Sequence, residues 1–268
     1  METCLLTTRA DRVLTIQLHR PAKLNALTPQ MLGDLAGMIV EAQADDGVRA
    51  VVLTGSGRAF CSGMDVAVQA ENVPVSGPDS GRPLREQQRT IDLAHSVIQA
   101  FLGLRKPLIA RIGGVAAGAG VSLALLCDLR VGSDEASFAN VYLGRALVPD
   151  LGLTWLLPAV LGYSKACEVT FTGARIAGAE ALQLGLVNRL VPAAELAHTV
   201  ERMAAQIAAA APLAVSLTRQ LFAPHRKAEL LEAIQREAAA QVRCTATSDY
   251  QEGIAAFLEK RAPRFSGC

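Results

Sequence analysis

Aromatic side chains are scarce in this chain: seven Phe, three Tyr and one Trp make up 4% of its 268 residues, while 51% are hydrophobic. A core of that make-up has to be built from Ala, Val and Leu, as in helices packed closely on sheets. An excess of charge of either sign is missing too, since Lys+Arg 26 against Asp+Glu 25 leaves a net charge of +1. No global field draws such a chain to nucleic acid or an acidic membrane surface, so an anionic ligand must be held by local charges. The six cysteines (Cys4, Cys61, Cys127, Cys167, Cys244, Cys268) form no CxxC and no Cys/His pair at ligand spacing. They read as reduced thiols, and no metal site is expected. No apolar run reaches the ~20 residues that span a bilayer. The opening METCLLTTRADRV has no basic start leading into an apolar run, so the expected location is the cytoplasm, with no membrane partner.

What the chain does have is a central stretch, KPLIARIGGVAAGAGVSLALLCD, over residues 106–128. It reads as a buried strand at 108–112, a glycine/alanine turn at 113–120 that lets backbones approach closely, and an apolar helix at 121–126. A turn that opens a helix leaves N–H groups without intrahelical partners, aimed out of the positive helix end, where they suit an anion or a developing oxyanion. Gly118-Ala119-Gly120 invites comparison with a dinucleotide fingerprint, but Leu123 stands where the third glycine belongs and no acidic residue closes a second strand. A tight strand-to-helix junction without a ligand is the plain alternative.

The rest of the chain alternates in the same manner. Strands are expected at 4–8 and 12–18 around Ala10-Asp11, and a helix after Thr28, its N-cap, with Pro29 at the first helical position. Residues 49–54 (RAVVLT) form another buried strand. A second junction follows in RAFCSGMDV, where Asp65 or Ser62 caps a short helix and leaves the N–H groups around Met64 pointing outward. Residues 71–82 read as a flexible loop, 84–104 as a long amphipathic helix, 128–133 as a strand, and 137–139 as a tight connection. The loop 142–152 carries Asp150; helices follow at 153–161, to about 172, and at 176–184, with 187–191 extended. From Ala193 onward the composition is helical, broken near Pro212, Pro224-His225 and Thr247-Ser248. The architecture expected is α/β, with a core over 1–191 and a helical region over 192–268.

Several stretches in order resemble the crotonase, or enoyl-CoA hydratase/isomerase, superfamily. They are His19-Arg20-Pro21 with Asn25-Ala26-Leu27, the run from Arg58 to Asp65, the central stretch, Phe138, GAEALQLGLVNRLVP at 178–192, and the tail Phe257-Leu258-Glu259-Lys260-Arg261. The segment Leu153-Thr154-Trp155-Leu156-Leu157-Pro158 resembles the phenylacetate-pathway isomerase branch. The resemblance implies a ββα spiral core with a C-terminal helical region that covers the site and helps to form trimers or dimers of trimers. It also implies an acyl-CoA thioester substrate, with no cofactor beyond the coenzyme A that the substrate brings. It assigns the two oxyanion-hole N–H groups to Met64 and Ala119, and substrate contacts to Lys23, Ala26, Ser62, Gly63, Asp65, Gly118, Tyr142, Trp155, Phe257 and Lys260.

Hydratases of the family carry two glutamates where this chain has Ser122 and Tyr142. Neither serves as a carboxylate base, because an ordinary Ser or Tyr keeps its proton at neutral pH. Asp150 matches the position at which some family isomerases and aromatic dehalogenases carry a functional aspartate; its plain alternative is an N-cap for the following helix. The resemblance therefore implies a double-bond or ring-epoxide type isomerase using one aspartate. Enoyl-CoA hydratase of fatty-acid β-oxidation and a non-catalytic acyl-CoA binder are the alternatives. Cys61 lacks a histidine fixed near it and reads as a buried thiol, and His198 and His225 read as surface residues.

Overall fold

The computed structural model describes residues 3–71, 81–222 and 224–267. The chain opens with the hairpin β1 (Leu5–Ala10) and β2 (Val13–Leu18), turned at Asp11 and Arg12, both in the left-handed region. Helix α1 (Pro29–Ala44) follows; the Thr28 hydroxyl accepts the Met31 N–H at 3.2 Å, with Pro29 first in the helix. Then come β3 (Ala50–Gly55), β4 (Ala59–Cys61), α2 (Val66–Glu71) and α3 (Gly81–Gly103), and next β5 (Leu108–Ile112), β6 (Val115–Ala117) and α4 (Ala119–Leu126). The third round is β7 (Leu129–Ser133), β8 (Ser137–Ala139), α5 (Leu153–Leu161) and α6 (Tyr163–Thr172). After β9 (Arg175–Ala177), α7 (Gly178–Gln183) and β10 (Arg189–Val191), only helices remain: α8 (Ala193–Ala209), α9 (Pro212–Phe222), α10 (Pro224–Thr245) and α11 (Ser248–Glu259).

Two sheets emerge, ordered β1-β2-β3-β5-β7-β10 and β4-β6-β8-β9. The central pairings are parallel, so each turn of the chain lays one strand in the large sheet, one short strand in the small sheet and then a helix. That repeat is the ββα spiral. Strand β3 shows why the long strands read as unbroken apolar runs: Val51 and Leu53 face the main core, while Val52 joins Ile109 and Val131 under α8, against Leu196, Val200 and Ala204. A sheet buried on both faces has no polar side to alternate with.

The short strands depart from the sequence expectation. The glycine run 113–120 contains β6, and α4 starts at Ala119 rather than Val121. Residues 137–139 are β8 rather than a connection, and β9 occupies the start of the segment expected to be helical at 176–184. Three-residue strands are too short to show a period of two, and they form because neighbouring strands offer them a ladder. Of the loop expected at 71–82, residues 72–80 lie outside the described residues, while Glu71 ends α2 and Gly81 and Arg82 open α3. Close approach is real where it was expected: a Cβ on Gly120 would lie 2.2 Å from the Cys61 carbonyl oxygen.

Candidate active site

Two pieces of chain face one another at the small sheet. Gly63 (φ 95°) and Gly118 (φ 50°) both take left-handed backbone, and a Cβ on Gly63 would lie 2.9 Å from the Ala117 oxygen and 3.4 Å from the Ala119 nitrogen. Leu27 runs alongside: its N–H donates to the Gly63 oxygen at 2.8 Å and its oxygen accepts from Asp65 N–H at 2.8 Å. That pattern turns the Met64 N–H away from Leu27, and Ala119 is the first residue of α4, whose N–H has no intrahelical acceptor. Among the described residues neither N–H has a hydrogen-bond partner. Asp65 does the capping at α2: its Oδ1 accepts the Ala67 N–H at 3.1 Å, while Oδ2 pairs with Arg20 at 2.9 Å. Ser62 instead donates to the Lys23 oxygen at 3.3 Å, which draws exposed Lys23 to the same turn.

The register of this side is fixed by Asn25, which is wholly buried and left-handed at φ 57°. Its amide donates to the oxygens of Ser56 at 2.9 Å and Ala59 at 2.8 Å and accepts from Arg20 N–H at 3.0 Å. Arg20 also donates to the Ala26 oxygen at 2.6 Å. With both partners close, its guanidinium is a structural tie.

Met64 and Asp65 open onto a cavity of about 120 Å³ whose other walls include Pro29 and Leu32 of α1, the α3 residues Ile91, Ala94 and His95, then Leu147, Asp150 and Leu151, and α10 with Tyr250 of α11. Asp150 stands in this wall. It does not cap α5; Gly152 holds that position, and the Asp150 oxygen accepts from Leu153 N–H at 3.1 Å and from the Ser122 hydroxyl at 3.0 Å. Its carboxylate accepts from the Tyr142 hydroxyl at 2.6 Å on one oxygen and from the Gln241 amide at 3.1 Å on the other. Burial pushes the Asp150 carboxyl above its ordinary range, and these two donors, which favour the charged form, oppose it. Burial and the adjoining carboxylate together push Tyr142 well above the usual phenol value, so it remains a donor.

Sequence reasoning missed Glu237, which lines the same cavity and is 4% exposed. It accepts from the N–H of Gly152 at 2.7 Å, the N–H of Thr154 at 2.9 Å and the Thr154 hydroxyl at 2.6 Å, so it caps α5 from another helix. Burial lifts its carboxyl to about 7, against the pull of those donors, with the Asp150 charge adding to the rise. The turn it holds is strained: Leu151 (φ 51°) and Gly152 (φ 79°) are successive left-handed residues, and for Leu151 that costs about 1–2 kcal/mol. A signal was present in the sequence. On α10 Leu230, Ala233 and Ile234 are buried at helical spacing, and Glu237 and Gln241 continue that stripe as polar residues.

The other expected residues are distributed as follows. Ala26, Gly63, Gly118 and Ala119 sit at the glycine junction, and Tyr142 lies behind Asp150, 7% exposed. Trp155, Phe257 and Lys260 do not line the cavity of this chain: the Trp155 indole donates to Glu229 at 2.8 Å, Phe257 lies under the Arg145 guanidinium at 4.5 Å, and Lys260 is the exposed C-cap of α11. Cys61 is fully buried, which pushes its thiol up to about 12 and makes it inert as a nucleophile. The five described cysteines form no disulfide, and no described helix is long and apolar enough to cross a membrane.

Comparison with known proteins places the whole chain beside one family. The family model described as Enoyl-CoA hydratase/isomerase matches residues 8–267. The 1,2-epoxyphenylacetyl-CoA isomerase of Escherichia coli (strain K12) is 32% identical over 95% of this chain and 95% of its own. The short-chain-enoyl-CoA hydratase of Clostridium acetobutylicum is 32% identical over 94% of each. A crystal structure of an enoyl-CoA hydratase from Mycobacterium avium subsp. paratuberculosis K-10 superposes with a TM-score of 0.88 at 30% identity, covering 98% of this chain and 99% of that one.

Proposed function

The chain belongs to the enoyl-CoA hydratase/isomerase family, and from that premise we propose that it is an enoyl-CoA isomerase in which Asp150 alone shuttles the proton. The observation that carries this reading is the carboxylate of Asp150 in the cavity wall, with the Tyr142 hydroxyl spent on that carboxylate and the Ser122 hydroxyl on the Asp150 backbone oxygen. Hydration normally needs two groups to handle water, whereas moving a double bond needs one base that takes a proton and gives it back.

In the reaction proposed, the N–H groups of Met64 and Ala119 receive the thioester oxygen. Asp150 takes the proton from the carbon beside the thioester of a 3-enoyl-CoA, and the C–H electron pair moves into the conjugated system, placing negative charge on that oxygen. The protonated Asp150 then delivers the same proton at the far carbon, leaving the double bond between the second and third carbons. Each N–H is worth about 3 kcal/mol when it meets the enolate rather than the neutral carbonyl. The cycle is redox-neutral and calls for no cofactor beyond the coenzyme A of the substrate. Ring-epoxide isomerisation, the activity in the name of the Escherichia coli relative, starts from the same carbon acid and belongs to the same reading.

Lys23, Ala26, Ser62, Gly63, Asp65 and Gly118 are the proposed path of the thioester arm. A homotrimer or dimer of trimers suits the row on α9, where Leu213, Leu217 and Leu221 are 70%, 48% and 77% exposed. Equilibrium sedimentation checks that assignment. One observation favours hydration as the second reading: Glu237 gives the cavity a second carboxylate, although its three bonds all run to the α5 terminus.

The experiment is a screen of 3-enoyl-CoA, ring-type acyl-CoA and crotonyl-CoA in deuterated water, run on the parent and on Asp150→Asn. Isomerisation that disappears in the variant is the expected result. Efficient hydration of crotonyl-CoA that survives in the variant would overturn the single-acid reading.

A further inference from the structure

We propose that Glu237 is a positioning residue for Asp150: from α10 it fixes the turn that carries Asp150, and through its own charge it sets how firmly Asp150 holds a proton. The inference rests on the reading of Asp150 as the base. Asp150 is two residues before Gly152, and Gly152 and Thr154 are the residues whose N–H groups Glu237 accepts. Between Asp150 and α5 lie only the left-handed Leu151 and Gly152, so the carboxylate secures the strained backbone that joins Asp150 to the helix. The Leu230 side chain closes the other side, where a Cβ on Gly152 would stand 2.4 Å from its Cδ1.

Electrostatics gives the second half of the argument. Among the described residues neither Asp150 nor Glu237 is in an ion pair. Other titratable groups around Glu237 are Asp65, already paired with Arg20, His95 of α3, Tyr142, and Tyr250 of α11. Two carboxylates in one secluded cavity oppose each other's ionisation. An ionised Glu237 therefore makes Asp150 a stronger base; Glu237 itself is lifted to about 7 mainly by burial, with the Asp150 charge adding to the rise.

Two variants separate charge from reach. Glu237→Gln keeps length and loses charge: kcat is expected to fall about tenfold with KM within about threefold, and the acid limb of the kcat profile should move to lower pH by about half a unit or more. Glu237→Asp keeps the charge but is a methylene short of the α5 terminus, so the limb should stay while kcat falls. A folded Glu237→Gln whose pH profile and kcat superimpose on the parent's would overturn the inference. Should that variant not fold, Glu237→Asp decides, and parental kcat there overturns it equally. His95→Gln, run alongside, should leave the limb in place; the same displacement in that variant would trace it to the imidazole instead. Asp150→Asn keeps the two readings apart: turnover that survives there sinks the functional reading, while an inactive Asp150→Asn beside an unaltered Glu237→Gln sinks only this one.

Discussion

The two sides of the proposed site are built by different means. On the glycine side, the reactive groups proposed are backbone N–H groups of Met64 and Ala119, set by Gly63 and Gly118 and registered by Asn25 and Leu27. On the acid side the group is a side chain, Asp150, and its supports are Ser122, Tyr142, Glu237 and Gln241, which come from α4, the segment after β8, and α10. The first side depends on conformations that only certain residues adopt. The second depends on partners as much as 91 positions away in the chain. A site of this kind tolerates few changes to backbone on one face and adjusts its basicity by side-chain exchange on the other.

The comparison breaks most visibly at Asp150. Asp150→Asn keeps the Tyr142 and Gln241 neighbours but removes the base, and isomerisation should fall about 10³-fold while the CoA thioester still binds, measured by turnover beside calorimetric titration. Next is Ala119→Pro. It deletes one N–H at the first position of α4, where proline is tolerated, so the protein should fold and lose about 10²–10³-fold in kcat with little change in binding. Equal losses in binding and turnover would show that the N–H groups act on the ground state.

Tyr142→Phe sharpens the contrast. The Tyr142 hydroxyl favours ionised Asp150, so removing it should raise the carboxyl further and shift the acid limb of the pH profile to higher pH, opposite in sign to Glu237→Gln. A loss of about tenfold in kcat at neutral pH accompanies it. The smallest effect is expected at Thr28→Ala, which removes the hydroxyl cap of α1 beside the glycine side. It should cost about 1 kcal/mol, read as a melting temperature lowered by about 2–4 °C, with kcat and KM unchanged.

The same contrast explains how much could be read before the fold was known. Thr28 with Pro29, the buried run at β3, and the glycine junctions at 63 and 118 were legible because each rests on local backbone chemistry or on one element's own pattern. Strands β6, β8 and β9 were not, since three residues show no periodicity and exist through pairing. The helices of the last third were legible, with breaks at Pro212, Pro224 and Thr247, yet their contribution to the cavity was not.

The sequence by itself determined an α/β chain of Ala, Val and Leu with two glycine turns that open helices and one aspartate placed before a third. These follow from which residues can take left-handed backbone, start a helix or fill a narrow core. Only the tertiary structure decided that Ser122 bonds the Asp150 backbone oxygen and Tyr142 its carboxylate, and that Glu237 and Gln241 belong to its surroundings. The physical reason is distance along the chain: a buried carboxylate takes its basicity from whatever packing brings beside it, and no local pattern records which groups those are.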